Sequence, residues 1–394
     1  MAKEADDEAT KIGVARRDVL KGVAGLSALA LTSSIAAADT KPNIVFILVD
    51  DLGWKDVGYH GSDIKTPNID KLARTGSQLD EFYVQPMCTP TRAALLTGRY
   101  PLRYGLQTAV IPSAGRYGLA KDEWLLPQAL KESGYQTAIV GKWHLGHFDQ
   151  SYWPGQRGFD YSYGPLIGEI DHFKHESHGV TDWFRNNKLV KEPGYDTELF
   201  GADAVRVINE RDTKTPLFLY LAFTAPHTPY QAPQSYLDMY KGIADPLRRA
   251  YAAQITAMDD QVGTVVDALT KRNMRENTLI VFASDNGGTR SHMFVGEAEV
   301  KGDLPPNNGP YRDGKGTVYE GGTRVVAFAN WPGHIKPSAV NELIHIVDIY
   351  PTLVSLAGGT LDKNKPLDGI NVWQSISDGK PSPRFCRRAS NFSI

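Results

Sequence analysis

Four apolar runs in this chain end in residues that can bind a cation or move a proton. "NIVFILVD" leads into Asp50 and Asp51, and "QTAIVGKWH" supplies Lys142 and His144. "PLFLYLAFTAPH" supplies His227, and "TLIVFASDNGG" supplies Asp285 and Asn286. One Asp after a strand is ordinarily a turn or cap residue. Such groups at several strand ends point to one edge of a sheet, where open α/β sheets bind ligands. Asp50, Asp51, Asp285 and Asn286 offer only oxygen atoms, a donor set for Ca²⁺ or Mg²⁺ rather than zinc. Three carboxylates brought together repel one another unless a cation joins them.

A nucleophile lies in "QPMCTPTRAALLTGRYPLRYGL". Cys88 is one of only 2 cysteines, too few for a disulfide framework, and no zinc spacing surrounds it. A buried structural thiol is the plain reading of a lone Cys. The flanks argue for more. Thr89 suits a helix cap, Pro90 the first helical position and Gly98 the end. Cys88 then sits at a helix N-terminus, which favours an anion, and Arg92 adds a permanent cation one turn on. With a divalent cation this makes a receptor for a tetrahedral anion, either sulfate or phosphate.

These groups need a scaffold. The apolar runs are continuous and β-branched, as buried parallel strands are, and "VVAFANWPG" is a fifth candidate. Between them, "TPNIDKLARTG", "DEWLLPQALKESG" and "PLRRAYAAQITAMDDQVGTVVDALTKRN" read as helices. In the last, Tyr251, Ile255, Met258, Val262, Val265 and Leu269 recur at threes and fours. The alternation predicts an α/β fold with a large, mostly parallel sheet between helices. Residues 151–195, rich in Gly, His and aromatics, read as a long loop region beside the site.

The chain has 394 residues, 41% hydrophobic, with a formal net charge of −2, so no electrostatic case exists for nucleic-acid binding. "ARRDVLKGVAGLSALALTSSIAAADT" combines a basic pair, a short apolar run and Ala36-Ala37-Ala38. Residues 1–38 therefore read as a signal peptide of twin-arginine type. The apolar run is too short to span a bilayer, so the mature chain carries no membrane span. A prokaryotic protein exported to the periplasm or the medium is expected.

"CTPTRAALLTGRYP" resembles the sulfatase signature C-x-P-S/T-R-x-x-x-L-T-G. "VDDLGWKDVGYHG", "GYQTAIVGKWHLG", "DNGG" and "GKGTVYEGGTRV" resemble that family's metal strand, second signature, later metal motif and lysine motif. The resemblance runs from about Lys41 to about Lys380 and looks closest to the arylsulfatase B-like (N-acetylgalactosamine-4-sulfatase-like) branch, in the alkaline-phosphatase-like superfamily. It implies a catalytic domain over 39–380 and hydrolysis of sulfate esters of sulfated sugars or glycosaminoglycan-like glycans, or of aryl sulfates. It implies that a maturation enzyme converts Cys88 to Cα-formylglycine, whose hydrate attacks sulfur. A sulfated hemiacetal would then collapse to aldehyde and sulfate. One Ca²⁺, with Mg²⁺ as the lesser choice, would be held by Asp50, Asp51, Asp285, Asn286 and an oxygen on modified Cys88. Arg92 would orient the diol. Lys142 and Lys315 would contact sulfate oxygens, His227 would protonate the leaving alcohol, and His144 would take the last diol proton. Trp143, Trp153 and Trp183 are candidates to stack on sugar rings. His172, His175 and His178 in "EIDHFKHESHG" match no zinc spacing and read as substrate-loop residues.

The end departs from the resemblance. Sulfatases of this type add a C-terminal antiparallel subdomain, and here the chain runs into "RFCRRASNFSI". Residues 381–394 thus read as an aberrant tail and the subdomain as truncated. Two rivals stand beside sulfate-ester hydrolysis. One is a phosphonate monoester or phosphodiester hydrolase on the same scaffold. The other is an inactive sulfated-glycan-binding protein with Cys88 unmodified.

Overall fold

The apolar runs form the middle of a ten-stranded sheet. The structure, a computed structural model, describes residues 41–296 and 300–384. The signal-peptide segment 1–38 and tail residues 385–394 lie outside the described residues. In chain order the strands are β1 Asn43–Val49, β2 Ser77–Leu79, β3 Gln136–Gly141, β4 Tyr161–Gly164 and β5 Phe184–Arg185. Then come β6 Lys188–Leu189, β7 Leu217–Ala222, β8 Thr278–Ser284, β9 Ala327–Asn330 and β10 Ser338–Val340. Their order across the sheet is β10-β2-β9-β8-β1-β7-β3-β4-β5-β6.

Strands β8, β1, β7, β3 and β4 are parallel neighbours. In the middle, Val45 stands opposite Leu219 on one side and Ile280 on the other. Every residue of β1 is buried, so helices must cover both faces. Ile44, Phe46 and Leu48 pack with α2 Cys88–Thr97, α3 Leu126–Glu132 and α6 Ile346–Leu356. Val45, Ile47 and Val49 pack with α1 Pro67–Arg74, α4 Asp196–Glu210 and α5 Pro246–Lys271. The six spaced apolar residues of α5 are all fully buried. Its start is capped by the Asp245 carboxylate, which accepts from the Leu247 and Arg248 amides, with Pro246 at the first position.

The sequence expectation differs from the structure at two places. The fifth candidate strand, β9, is in the sheet but runs antiparallel to β8 and β2. Residues 151–195 are not one loop. Strand β4 pairs parallel with β3, and the β5–β6 hairpin extends the same sheet. That hairpin turns at Asn186-Asn187, both with positive φ (46° and 65°), as a two-residue turn between antiparallel strands requires. Of the tail assigned to 381–394, only residues 381–384 are described. The Ser382 amide donates to Glu342, and the Arg384 guanidinium holds Asp348 and the Tyr100 hydroxyl. No helix among the described residues is long and apolar enough to cross a membrane.

Candidate active site

Because β1, β7, β3 and β8 are parallel, their carboxyl ends deliver Asp50-Asp51, His227, Lys142 with His144, and Asp285-Asn286 to one edge. Asp51 (φ 63°) and His144 (φ 56°) adopt left-handed backbone, so the chain turns sharply where each side chain must point inward. Cys88 comes from a helix rather than a strand end, as the first residue of α2. The cap is Met87 rather than Thr89, and Pro90 sits at the third helical position, where no intrahelical donor is needed. The Thr89 hydroxyl instead donates to the His144 carbonyl (3.0 Å) and accepts from the Ile111 amide (3.2 Å). It ties the nucleophile's helix to the His144 loop. The helix ends at Gly98, in the left-handed region (φ 67°), as its sequence predicts.

The thiol of Cys88 is buried and donates to Asp50 Oδ1 at 3.3 Å. Behind it lies Arg92, fully buried, with Nη2 and Nε at 2.8 and 3.1 Å from Asp285 Oδ2. Arg92 also reaches Asp50 Oδ2 (3.4 Å) and the Lys142 carbonyl (3.2 Å). The Lys142 ammonium is fully buried and bonded to Asp50. Asp51 accepts from Asn286 Nδ2 (2.7 Å), the Thr289 hydroxyl (2.7 Å) and Lys315 Nζ (2.8 Å). His227 Nε2 stands 3.7 Å from the same carboxylate.

Burial raises Asp50, but Lys142, His227 and Arg92 outweigh it and hold its carboxyl well below the ordinary value. Burial and the Asp50 charge push Asp285 up to about 6 against Arg92. Burial, with Asp285 and Asp50, pushes the Cys88 thiol up, so the unmodified side chain is a poor nucleophile. Burial works against the Lys315 ammonium, yet Asp51 keeps it above its ordinary value and charged. Burial, then Lys315, push His227 down to about 4. Burial, Lys142 and Arg92 hold His144 well below its ordinary value. Both imidazoles are therefore neutral at pH 7 in this arrangement. His227 donates Nδ1–H to the Thr228 carbonyl (2.7 Å), which leaves Nε2 open. His144 donates Nε2–H to the Ile111 carbonyl (3.2 Å), and its buried Nδ1 has no hydrogen-bond partner among the described residues.

A divalent cation fits these residues. Ligand atoms of Asp50, Asp51, Cys88 and His227 all lie within 4.8 Å of one another. Asn286 Oδ1 is buried without a partner among the described residues, an orphaned oxygen that a hard cation would satisfy. His227 joins this group although the oxygen-only reading left it out.

Above the cluster opens a cavity of about 330 Å³, floored by Cys88, His144, His227 and Lys315. Its walls include Ile111, Ile167, Phe294 and the polar Glu169 and His178. Two expectations change. Lys142 does not line this cavity but lies behind Asp50, so its charge acts through that carboxylate. Trp143 is buried, its indole N–H donating to the Tyr152 carbonyl and its ring set edge-on to Phe159, so it packs the core and offers no face to a sugar. Trp183 is likewise buried, stacked on His175. The three histidines separate: His172 bonds Asp196, His175 packs on Trp183, and only His178 reaches the cavity. Sequence reasoning missed Thr289, three residues past Asn286, although a hydroxyl so close to a carboxylate cluster was a readable signal.

Residues 42–359 match the family model described as Sulfatase. The chain belongs to the sulfatase family. That family lies in the alkaline-phosphatase-like superfamily. Arylsulfatase J of Mus musculus is 41% identical over 357 residues, covering 88% of this chain and 58% of that protein. N-acetylgalactosamine-6-sulfatase of Mus musculus is 36% identical over 383 residues, covering 91% and 70%. Among solved structures, Ps i-CgsB in complex with k-i-k-neocarrahexaose superposes with a TM-score of 0.80 at 38% identity, covering 86% of this chain and 77% of that one. The phosphonate monoester hydrolase of Agrobacterium radiobacter superposes with a TM-score of 0.59 at 19% identity and shares the fold alone.

Proposed function

We propose that this sulfatase-family chain hydrolyses sulfate esters of a sulfated glycan outside the cytoplasm, after export through the signal at 1–38. One observation carries the reading: a buried thiol at a helix start, an oxygen-rich cation cluster, an ammonium and two neutral imidazoles meet at the floor of one cavity. The relative bound to a neocarrahexaose supports a glycan substrate.

Asp50, Asp51, Asp285 and Asn286 would hold Ca²⁺, and bound there it supplies positive charge for the sulfate oxygens and acidifies a neighbouring hydroxyl. The aldehyde made from Cys88 supplies, as its hydrate, a hydroxyl for attack on sulfur and a second that lets sulfate depart. The chain's own residues do the rest. Arg92 and Lys142 fix the Asp50 and Asp285 carboxylates from behind. Lys315 carries a proton at rest and, with His227 Nε2 beside Asp51, meets the leaving oxygen. The bare Nδ1 of His144 is an acceptor for the proton released when sulfate departs. Apolar Ile111, Ile167 and Phe294 exclude water and strengthen these charges.

The test is the mass of the tryptic peptide containing Cys88 after co-expression with a maturation enzyme, paired with turnover of an aryl sulfate and an aryl phosphodiester. An aldehyde or its hydrate at Cys88, with the sulfate ester preferred, is expected. An unmodified thiol with no aryl sulfate turnover overturns the proposal, and preference for the phosphodiester transfers the chain to the phosphohydrolase reading.

A further inference from the structure

The wall of the catalytic cavity carries a charge opposite to that of its floor. Among the described lining residues, Lys315 supplies the one ammonium and Glu169 the one carboxylate. The loop that brings Glu169 to the wall is held from behind. The Leu166 and Ile167 amides donate to the buried Asp182 carboxylate at 3.3 and 2.7 Å. Gly168 then packs so closely on His144 that a Cβ there would lie 2.1 Å from Cε1. Glu169 follows and lies against Gly296, where a Cβ would meet Oε2 at 1.7 Å. The Glu169 carboxylate is thus seated between two glycines that leave room for nothing larger.

Glu169 also lines a second cavity, of about 270 Å³, and so does His178. The two cavities therefore adjoin, with these two side chains between them. His178 stands at the tip of a short hairpin, Glu176–Ser177 paired with Val180–Thr181. Its turn residues, His178 and Gly179, both have positive φ (50° and 73°), as a two-residue hairpin turn requires. The imidazole reaches back to the Ser113 hydroxyl of the catalytic cavity at 3.4 Å. A catalytic cavity of about 330 Å³ is at the small end for a ligand site, so a second unit linked to the sulfated one extends beyond it. Past the partition, Asp171 and Glu176 join Glu169, and the exposed Lys174 is the one ammonium among the described lining residues. Burial opposes the Asp171 charge, but the Gln231 side chain and the Lys174 and Phe173 amides outweigh it and hold the carboxyl below its ordinary value.

We propose that Glu169 determines specificity: the unit joined to the sulfated one passes into the second cavity, which takes a neutral, hydroxyl-bearing sugar and rejects one carrying a second sulfate or carboxylate. This rests on the sulfate-ester reading given above and narrows its substrate class. The floor attracts an anion through Lys315 and the cation cluster. Beyond it the charge reverses. Carboxylates accept hydrogen bonds from sugar hydroxyls, so Glu169, Asp171 and Glu176 suit an uncharged unit. A second anion would meet three carboxylates and one ammonium, and the exposure of Lys174 leaves that ammonium screened by salt. Repulsion of the wrong unit thus adds to attraction of the right one.

The experiment uses the matured full chain and three aryl sulfates of one shape: 4-(2-hydroxyethyl)phenyl, 4-(2-carboxyethyl)phenyl and 4-(2-aminoethyl)phenyl sulfate. Two methylenes separate each substituent from the ring, so the leaving phenols are nearly equal in acidity and only the distal charge differs. In the wild type, kcat/KM on the hydroxyl ester should exceed that on the carboxylate ester by roughly tenfold, with the amine ester at least equal to the hydroxyl ester. The ratio of hydroxyl to carboxylate should shrink as salt is raised. Glu169→Gln keeps the size of the side chain and removes its charge, and should bring the ratio within about threefold. Glu176→Gln should lower it less. A wild-type ratio near one, a preference for the carboxylate ester, or an undiminished ratio in Glu169→Gln overturns the proposal. If Glu169→Gln does not fold, an undiminished ratio in Glu176→Gln overturns it. A wild-type chain that turns over none of the three esters refutes the underlying sulfatase reading instead.

Discussion

Arg92 joins the buried Asp285 and Asp50 carboxylates, and replacing it with Met tests how their charge is compensated. Its guanidinium makes four hydrogen bonds, two to Asp285, one to Asp50 and one to the Lys142 carbonyl. All of these side chains are fully buried, so water cannot replace the lost partner. Met keeps the volume and the stem packing, which isolates the charge. Breaking a buried pair by removing one partner costs about 3–5 kcal/mol. Lys142 stays on Asp50, so the uncompensated charge falls mainly on Asp285, and the lower half of that range applies. With about 2.1 cal/mol/K of unfolding entropy per residue over roughly 340 residues, about 3–4 kcal/mol lowers Tm by about 4–6 °C.

The assay is a thermal melt of wild type and Arg92→Met, each in chelator and in excess Ca²⁺. A bound cation neutralises the same carboxylates that Arg92 does, so Ca²⁺ should raise the variant's Tm more than the wild type's. A Tm within about 1 °C of wild type in chelator would refute the claim that the guanidinium compensates buried charge. An equal Ca²⁺ response in both proteins would separate the cation site from the Asp50–Asp285 pair.

Other perturbations probe other parts of the site. A Cβ on Gly168 would lie 2.1 Å from His144 Cε1, so Gly168→Ala should displace the imidazole and lower kcat about tenfold or more. Unchanged kcat would mean the His144 ring position is immaterial. Asn286→Ala removes the orphaned oxygen and should weaken Ca²⁺ binding about tenfold or more by calorimetry, with the fold retained. Unaltered affinity would take Asn286 out of the ligand set. His345 caps α6 by accepting from the Val347 amide, while burial and Arg384 push it down to about 3. The unfolded chain therefore takes up this proton first, and the contribution is intact above the ordinary His value and lost as pH falls toward about 3. His345→Asn keeps a capping oxygen without the proton. Its Tm should match wild type near neutral pH and exceed it in acid, and parallel pH profiles would show that His345 does not drive acid unfolding.

What could be read from the chain, and what could not, follows from the range of the interactions involved. Strand β1 and helix α5 were legible because a continuous β-branched run and a 3.6-residue apolar period are local signals. The edge to which the polar residues gather followed from parallel strands ending in like groups. The β5–β6 hairpin was not legible, since strands of two residues carry no period and only the Asn186-Asn187 pair announces the turn. The side a residue faces was harder still. "GKWH" puts Lys142, Trp143 and His144 in succession, yet the first bonds Asp50, the second packs the core and the third lines the cavity. Which nitrogen of His144 is left bare depends on the Ile111 carbonyl, 33 residues away in sequence. A motif therefore names the groups that can act, while partners distant in the chain decide which atom of each group is free to do so.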